Sequence, residues 1–91
     1  MSLRWTKLAH GDLRRLHAFL EPVNPAAAAR AVRAIVSRVE RIPVQPRLGE
    51  RLPRFESREV RRVLVGDYEV RYELIETDIV ILRVFHSRED R

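Results

Sequence analysis

The sequence predicts an α+β fold, a helical hairpin packed on a small antiparallel sheet with an N-terminal edge strand, in the order β-αα-βββ. Three observations predict it: two stretches of helical period between residues 8 and 42, a change to a period of two after Arg58, and a short β-forming run at the start. Ninety-one residues suit a single unit, and residues 1–91 are read as one domain.

Leu3, Arg4 and Trp5 supply the edge strand. Ala9, Leu13, Leu16 and Leu20 then recur at steps of four, three and four, which makes one apolar stripe with His10, Arg14 and Glu21 opposite. Pro22 ends that helix, because its ring and missing N–H cannot continue the ladder. Asn24 is the expected N-cap of a second helix and Pro25 its first residue, where the lost N–H has no intrahelical partner. Ala28, Val32, Ile35, Val39 and Ile42 form its apolar face, and Arg30, Arg33 and Arg41 its solvated one. A turn this short forces the two helices antiparallel, so residues 8–42 make an αα-hairpin.

Residues 43–57 carry three prolines and one glycine and show no period, which reads as a long loop. Val60–Val65, Tyr68–Ile75 and Ile79–Phe85 are β-branched and aromatic runs. Gly66-Asp67 and Thr77-Asp78 separate them as expected hairpin turns. Strict alternation puts Tyr68, Val70, Tyr72 and Leu74 on the helix side with Val80, Leu82 and Val84. Arg71, Glu73, Ile81, Arg83 and Phe85 then face outward.

Eighteen basic and 13 acidic side chains give a net charge of +5, and 17 of the basic residues are arginine. Residues 1–57 hold 11 basic and 5 acidic side chains, whereas residues 58–91 hold 7 and 8, so the positive field belongs to the first part. The lack of cysteine excludes disulfide staples and cysteine zinc sites. No apolar run approaches the roughly 18 residues of a membrane span, and residues 1–5 lack the apolar core of a secretory signal. A cytoplasmic chain with no membrane partner is expected.

The histidines at 10, 17 and 86 have no metal-ligand spacing, and no HExxH, phosphate-cradling glycine loop or GxSxG is present. Neither a metal nor a cofactor is expected. His86 stands at a strand end, where an imidazole acts as acid or base near neutral pH or simply bonds backbone. Arg58, Arg61, Arg62, Arg71 and Arg83 could hold phosphates, but Glu59, Glu69, Glu73 and Glu76 are interleaved with them, which favours cross-strand ion pairs. An outward Ile81 and Phe85 beside Arg71 and Arg83 predict a partner surface for an apolar, acidic segment, unless the loop 43–57 folds back over it.

Several pieces together resemble the RelE/ParE superfamily of toxins from bacterial toxin–antitoxin pairs. They are Trp5 with Ala9, Asp12 and Leu13, the run Pro43 to Gly49, Ser57-Arg58-Glu59-Val60, Tyr68-Glu69-Val70-Arg71-Tyr72, and Ile81 to Asp90. The superfamily divides into ribosome-dependent messenger RNA endonucleases and ParE-like proteins that poison DNA gyrase. In the nuclease branch an arginine usually follows the aromatic residue of the third-strand motif, whereas here Glu69 follows Tyr68, and a carboxylate repels a scissile phosphate. Some of those nucleases end in a His-Tyr pair, whereas Ser87 follows His86, and the tail His86-x-Arg88-x-Asp90 resembles the ParE side.

The resemblance implies a cytoplasmic growth inhibitor that interferes with gyrase. It also implies an antitoxin whose C-terminal segment wraps along the hairpin and sheet in a hetero-oligomer. The partner-binding set is then Arg71, Ile81, Arg83, Phe85 and Arg88. Two alternatives stay open: a metal-independent ribosome-dependent endonuclease using Arg58, Arg61, Arg71 and His86, with ribosome and message as partners, and an inactive toxin-fold binding module.

Overall fold

The computed structural model describes residues 2–87. Strand β1 (Ser2–Trp5) leads into helix α1 (Lys7–Leu20) and helix α2 (Pro25–Glu40), then a single 3-10 turn (Ile42–Val44). Strands β2 (Glu50–Arg51), β3 (Glu59–Val65), β4 (Tyr68–Ile75) and β5 (Asp78–His86) follow. The sheet order is β1-β5-β4-β3-β2, with β1 parallel to β5 and every other pairing antiparallel. The α+β hairpin-on-sheet order is the expected one. It gains the two-residue strand β2 inside the stretch read as loop, where Glu50 and Arg51 pair with Arg62 and Arg61.

Both helix starts follow from side-chain caps. Thr6 accepts the N–H of Ala9 at 3.0 Å, and Asn24 accepts that of Ala27 at 3.0 Å with Pro25 next to it. Each cap satisfies one of the orphan amides of a first turn. Helix α2 stops at Glu40, so Ile42 contributes to the core from the 3-10 turn rather than from the helix. The second strand turn falls at Glu76 and Thr77, one residue earlier than expected. Asp78 already pairs with Ile75, and Glu76 takes the left-handed conformation at φ 54°.

The core lies between the hairpin and one face of the sheet, where Ala9, Ile35, Val39 and Ile42 meet Val63, Val70, Tyr72, Leu74, Ile79, Ile81 and Val84. Strict alternation along β5 is therefore corrected. Arg71 is opposite Arg83 but Tyr72 is opposite Ile81, so Leu82 is an extra residue and the strand bulges there. The bulge reverses the phase of the first half of β5. Ile79 and Ile81 turn into the core and Val80 turns away, which is the reverse of the expectation from an unbroken strand.

Thr6 explains where the bulge sits. The chain leaves β1 at this residue, its N–H donates to Ile81 O at 3.1 Å, and its hydroxyl donates to Leu82 O at 3.0 Å. The carbonyl freed by the bulge is thus satisfied by the residue that caps α1. Beyond this level β1 no longer covers the edge of β5, and α1 takes over.

Candidate functional site

Asp12, one turn into α1, completes that edge. Its Oδ2 accepts the Val84 N–H at 2.8 Å and Arg83 Nε at 2.8 Å, while Oδ1 accepts Arg83 Nη2 at 3.0 Å and Arg15 Nη2. Burial by itself raises the Asp12 carboxyl, but the Arg83, Val84 and Arg15 hydrogen bonds outweigh it and hold the group below its ordinary value. The carboxylate fixes the distance between α1 and the far half of β5. It also forms one end of a groove.

That groove, of about 680 Å³, runs between the last two turns of α1 and the ends of β4 and β5. Leu16, Phe19 and Leu20 line the helix wall, and Tyr68, Val84 and His86 line the sheet wall. Phe19 is 81% exposed, which leaves a large aromatic surface in water at the groove's lip. Tyr68 and His86 are direct cross-strand partners whose rings meet edge-on at 5.3 Å. The arrangement is an apolar slot with a charged end.

The opposite face of the sheet carries Arg62, Arg71 and Arg83. Register places Arg62, Arg71 and Arg83 side by side on β3, β4 and β5, an arrangement of like charges that is repulsive unless neutralised. Glu69, 1% exposed, accepts Arg62 Nη1 at 3.1 Å and Arg71 Nε at 2.9 Å. Glu50 takes Arg62 Nε at 2.7 Å, and Asp12 takes Arg83. Arg71 and Arg83 both lie over the Phe85 ring, at 5.0 and 4.9 Å from its centre. Ion pairing, the favoured sequence reading of these arginines, is what the geometry contains, but only Arg62 pairs across strands, whereas Arg71 pairs within β4 and Arg83 reaches α1.

The remaining sequence-predicted residues are dispersed. Arg58 makes a two-point pair with Glu73, 2.9 and 2.7 Å, and these hydrogen bonds hold the Glu73 carboxyl below its ordinary value. Arg61 is on the helix side of the sheet, with Nε on Glu59 at 3.1 Å and Nη1 on the carbonyls of Arg47 and Gly49. His86 lines the groove, whereas Arg71 is on the other face. Arg58, Arg61, Arg71 and His86 therefore do not converge on one pocket. Among the described residues no three of His, Cys, Asp and Glu are grouped to hold a metal ion.

The outward Ile81–Arg83–Phe85 surface is corrected as well. Ile81 is fully buried in the core because of the bulge at Leu82, and Phe85 is 8% exposed beneath two guanidinium groups. Arg88 lies outside the described residues. The loop 43–57 is anchored at Tyr72. Its first half is tied to the helix side, where Tyr72 Oη donates to Pro46 O at 2.7 Å and accepts Gly49 N–H at 3.2 Å. Burial raises the Tyr72 hydroxyl above its ordinary value, which keeps it a donor.

Sequence reasoning passed over the roles of Asp12, Phe19 and Tyr72. A carboxylate three residues after Ala9, within an apolar stripe, was the available signal for Asp12. A phenylalanine outside the stripe was that for Phe19. Nothing local marks Tyr72 as a loop anchor, because its partners lie 23 and 26 residues away.

No helix among the described residues is long and apolar enough to cross a membrane. Among solved structures the chain is similar to the "Chromosomal ParDE TA system from P. aeruginosa", with 27% identity, a TM-score of 0.80, and coverage of 94% of this chain and 95% of that one. It is also similar to the toxin–antitoxin complex RelBE2 from Mycobacterium tuberculosis, with 29% identity, a TM-score of 0.61, and coverage of 93% and 88%. No curated protein matches it. The family profile described as "ParE toxin of type II toxin-antitoxin system, parDE" matches residues 3–91, and the chain belongs to that toxin family.

Proposed function

We propose that this ParE-type toxin inhibits growth in the cytoplasm by engaging DNA gyrase, and that a cognate antitoxin silences it by seating an apolar segment in the groove beside Phe19. The observation that carries the antitoxin half is that groove, open to water and edged by an aromatic side chain that is 81% exposed. The similar solved structures are described as a ParDE toxin–antitoxin system and a RelBE2 toxin–antitoxin complex, which supports a protein occupant. Net charge of +5 suits an acidic segment, with charge steering the encounter and buried apolar contacts supplying most of the affinity.

The gyrase half is supported by family membership and by the state of the arginines. Phosphoryl chemistry without a metal needs guanidinium groups free to meet developing charge. Here Glu73, Glu59 and Glu69 already occupy Arg58, Arg61 and Arg71. Purified protein added to gyrase and relaxed DNA is expected to inhibit supercoiling or trap cleaved DNA, and the antitoxin encoded beside it should relieve the effect. Codon-positioned cuts in translated message, lost in His86→Ala, would instead establish the endonuclease alternative. Unimpaired growth on expression without antitoxin would leave a binding module.

A further inference from the structure

The stretch after α2 is a built shelf rather than a slack loop. Ile42, 1% exposed, anchors it in the core, and Tyr72 holds both Pro46 O and Gly49 N–H. Arg61 Nη1 donates to Arg47 O at 3.0 Å and to Gly49 O at 2.7 Å. Gly49 is required there, because a Cβ would collide with Tyr72 Oη and stand 2.8 Å from Arg62 O. Two side chains of the sheet are thus committed to holding this backbone in place.

What the shelf presents is apolar and positively charged. Val44 is 80% exposed and Leu48 66%, and with Arg38, Arg41 and Gln45 they line a shallow concavity of about 390 Å³. Among the described residues Arg38 and Arg41 make no ion pair, whereas Arg58, Arg61, Arg62, Arg71 and Arg83 all do. Residues 33–49 hold four arginines and a single carboxylate, Glu40. The helices are antiparallel, so this end of α2 lies at the opposite end of the hairpin from Leu20 and the groove.

We propose that the shelf is a second protein-docking surface, and that its occupant is an amphipathic segment of another protein whose aliphatic side chains are bordered by Asp and Glu. Val44 and Leu48 supply apolar area that a rigid backbone already orders, and Arg38 and Arg41 are the free charges that meet the acidic border. A second copy of this chain fits poorly, because a two-fold contact sets Arg38 and Arg41 against their own images. Nucleic acid fits poorly too, since phosphates gain nothing from two aliphatic side chains placed between the cations. The groove and the shelf can be filled at the same time. The inference does not depend on what fills the groove.

The test is a titration of the 15N-labelled full chain with a synthetic helical peptide of about four turns, bearing leucines at i, i+3, i+4 and i+7 on a glutamate background. Amide shifts are expected at Arg41, Val44, Gln45 and Leu48. Affinity should fall by about tenfold or more in Val44→Ser/Leu48→Ser and in Arg38→Glu/Arg41→Glu, with the second pair also losing most of the salt dependence. Both variants change exposed or half-exposed side chains, and their spectra report directly whether the fold is kept. Shifts confined to Phe19, Leu20 and His86, or no shifts at millimolar peptide, overturn the proposal. So does a short DNA duplex that moves the shelf amides more strongly than the peptide, or a dependence of those amides on protein concentration alone.

Discussion

Asp12 on α1 and Arg83 on β5 are joined in a two-point ion pair, Nε to Oδ2 at 2.8 Å and Nη2 to Oδ1 at 3.0 Å, across 71 residues of sequence. The same carboxylate holds the Val84 N–H, so one buried side chain does what another β-strand would do for that edge. It also sets the width of the groove in which the antitoxin is proposed to lie.

Asp12→Ala strands the Val84 amide and leaves the Arg83 guanidinium without its buried partner. Loss of one member of a buried pair costs about 3–5 kcal/mol, so urea unfolding should show a loss of about 3 kcal/mol with an unchanged slope. Asp12→Asn keeps an acceptor for Val84 and should lose less. An unchanged midpoint in both variants would contradict the structural role.

Asp12, Glu59 and Glu73 are all held below their ordinary values in the folded chain. A depressed carboxyl contributes stability that is complete above its unfolded value and disappears as pH falls through its folded value. Thermal midpoints should therefore be level above about pH 5 and decline below it, and Asp12→Asn should flatten part of that decline. A midpoint that rose on acidification would reverse the sign.

Glu69→Gln removes the carboxylate shared by Arg62 and Arg71 and exposes the row of three arginines to its own repulsion. A loss of about 3 kcal/mol is expected in chemical unfolding. Adding Arg71→Leu should recover part of it, because one of the opposed charges is gone. No recovery in the double variant would show that repulsion is not the cause.

Gly49→Ala forces a methyl group against Tyr72 Oη and the Arg62 carbonyl. Overpacking of this kind costs about 1–3 kcal/mol. Tyr72→Phe relieves the hydroxyl but not the backbone contact, and it leaves Pro46 O and Gly49 N–H unsatisfied. The two changes together should therefore remain destabilised relative to wild type, which calorimetry can check.

Phe19→Ser should leave the thermal midpoint nearly unchanged, because the side chain is mostly in water. Against the proposed cognate antitoxin, affinity should weaken by about 2 kcal/mol, roughly 30-fold, chiefly through faster dissociation. Undiminished antitoxin affinity would move the docking site elsewhere.

The amino-acid sequence by itself determined the two helices, the capping of the second at Asn24 and Pro25, the three long strands and the edge strand. Each of these depends on periodicity or a cap that spans a few residues. The family resemblance was legible for the same reason, since its pieces are short runs in a fixed order. Only the tertiary structure decided which face of β5 is buried, because the bulge at Leu82 arises where Thr6 crosses from β1 to α1, 76 residues away. Likewise Asp12 is a core carboxylate through its meeting with Arg83, and Ile81 is a core residue through the shifted register of β5 against β4. A period tells which residues alternate along a strand. It does not give the phase, which is set by contacts between segments distant in the chain.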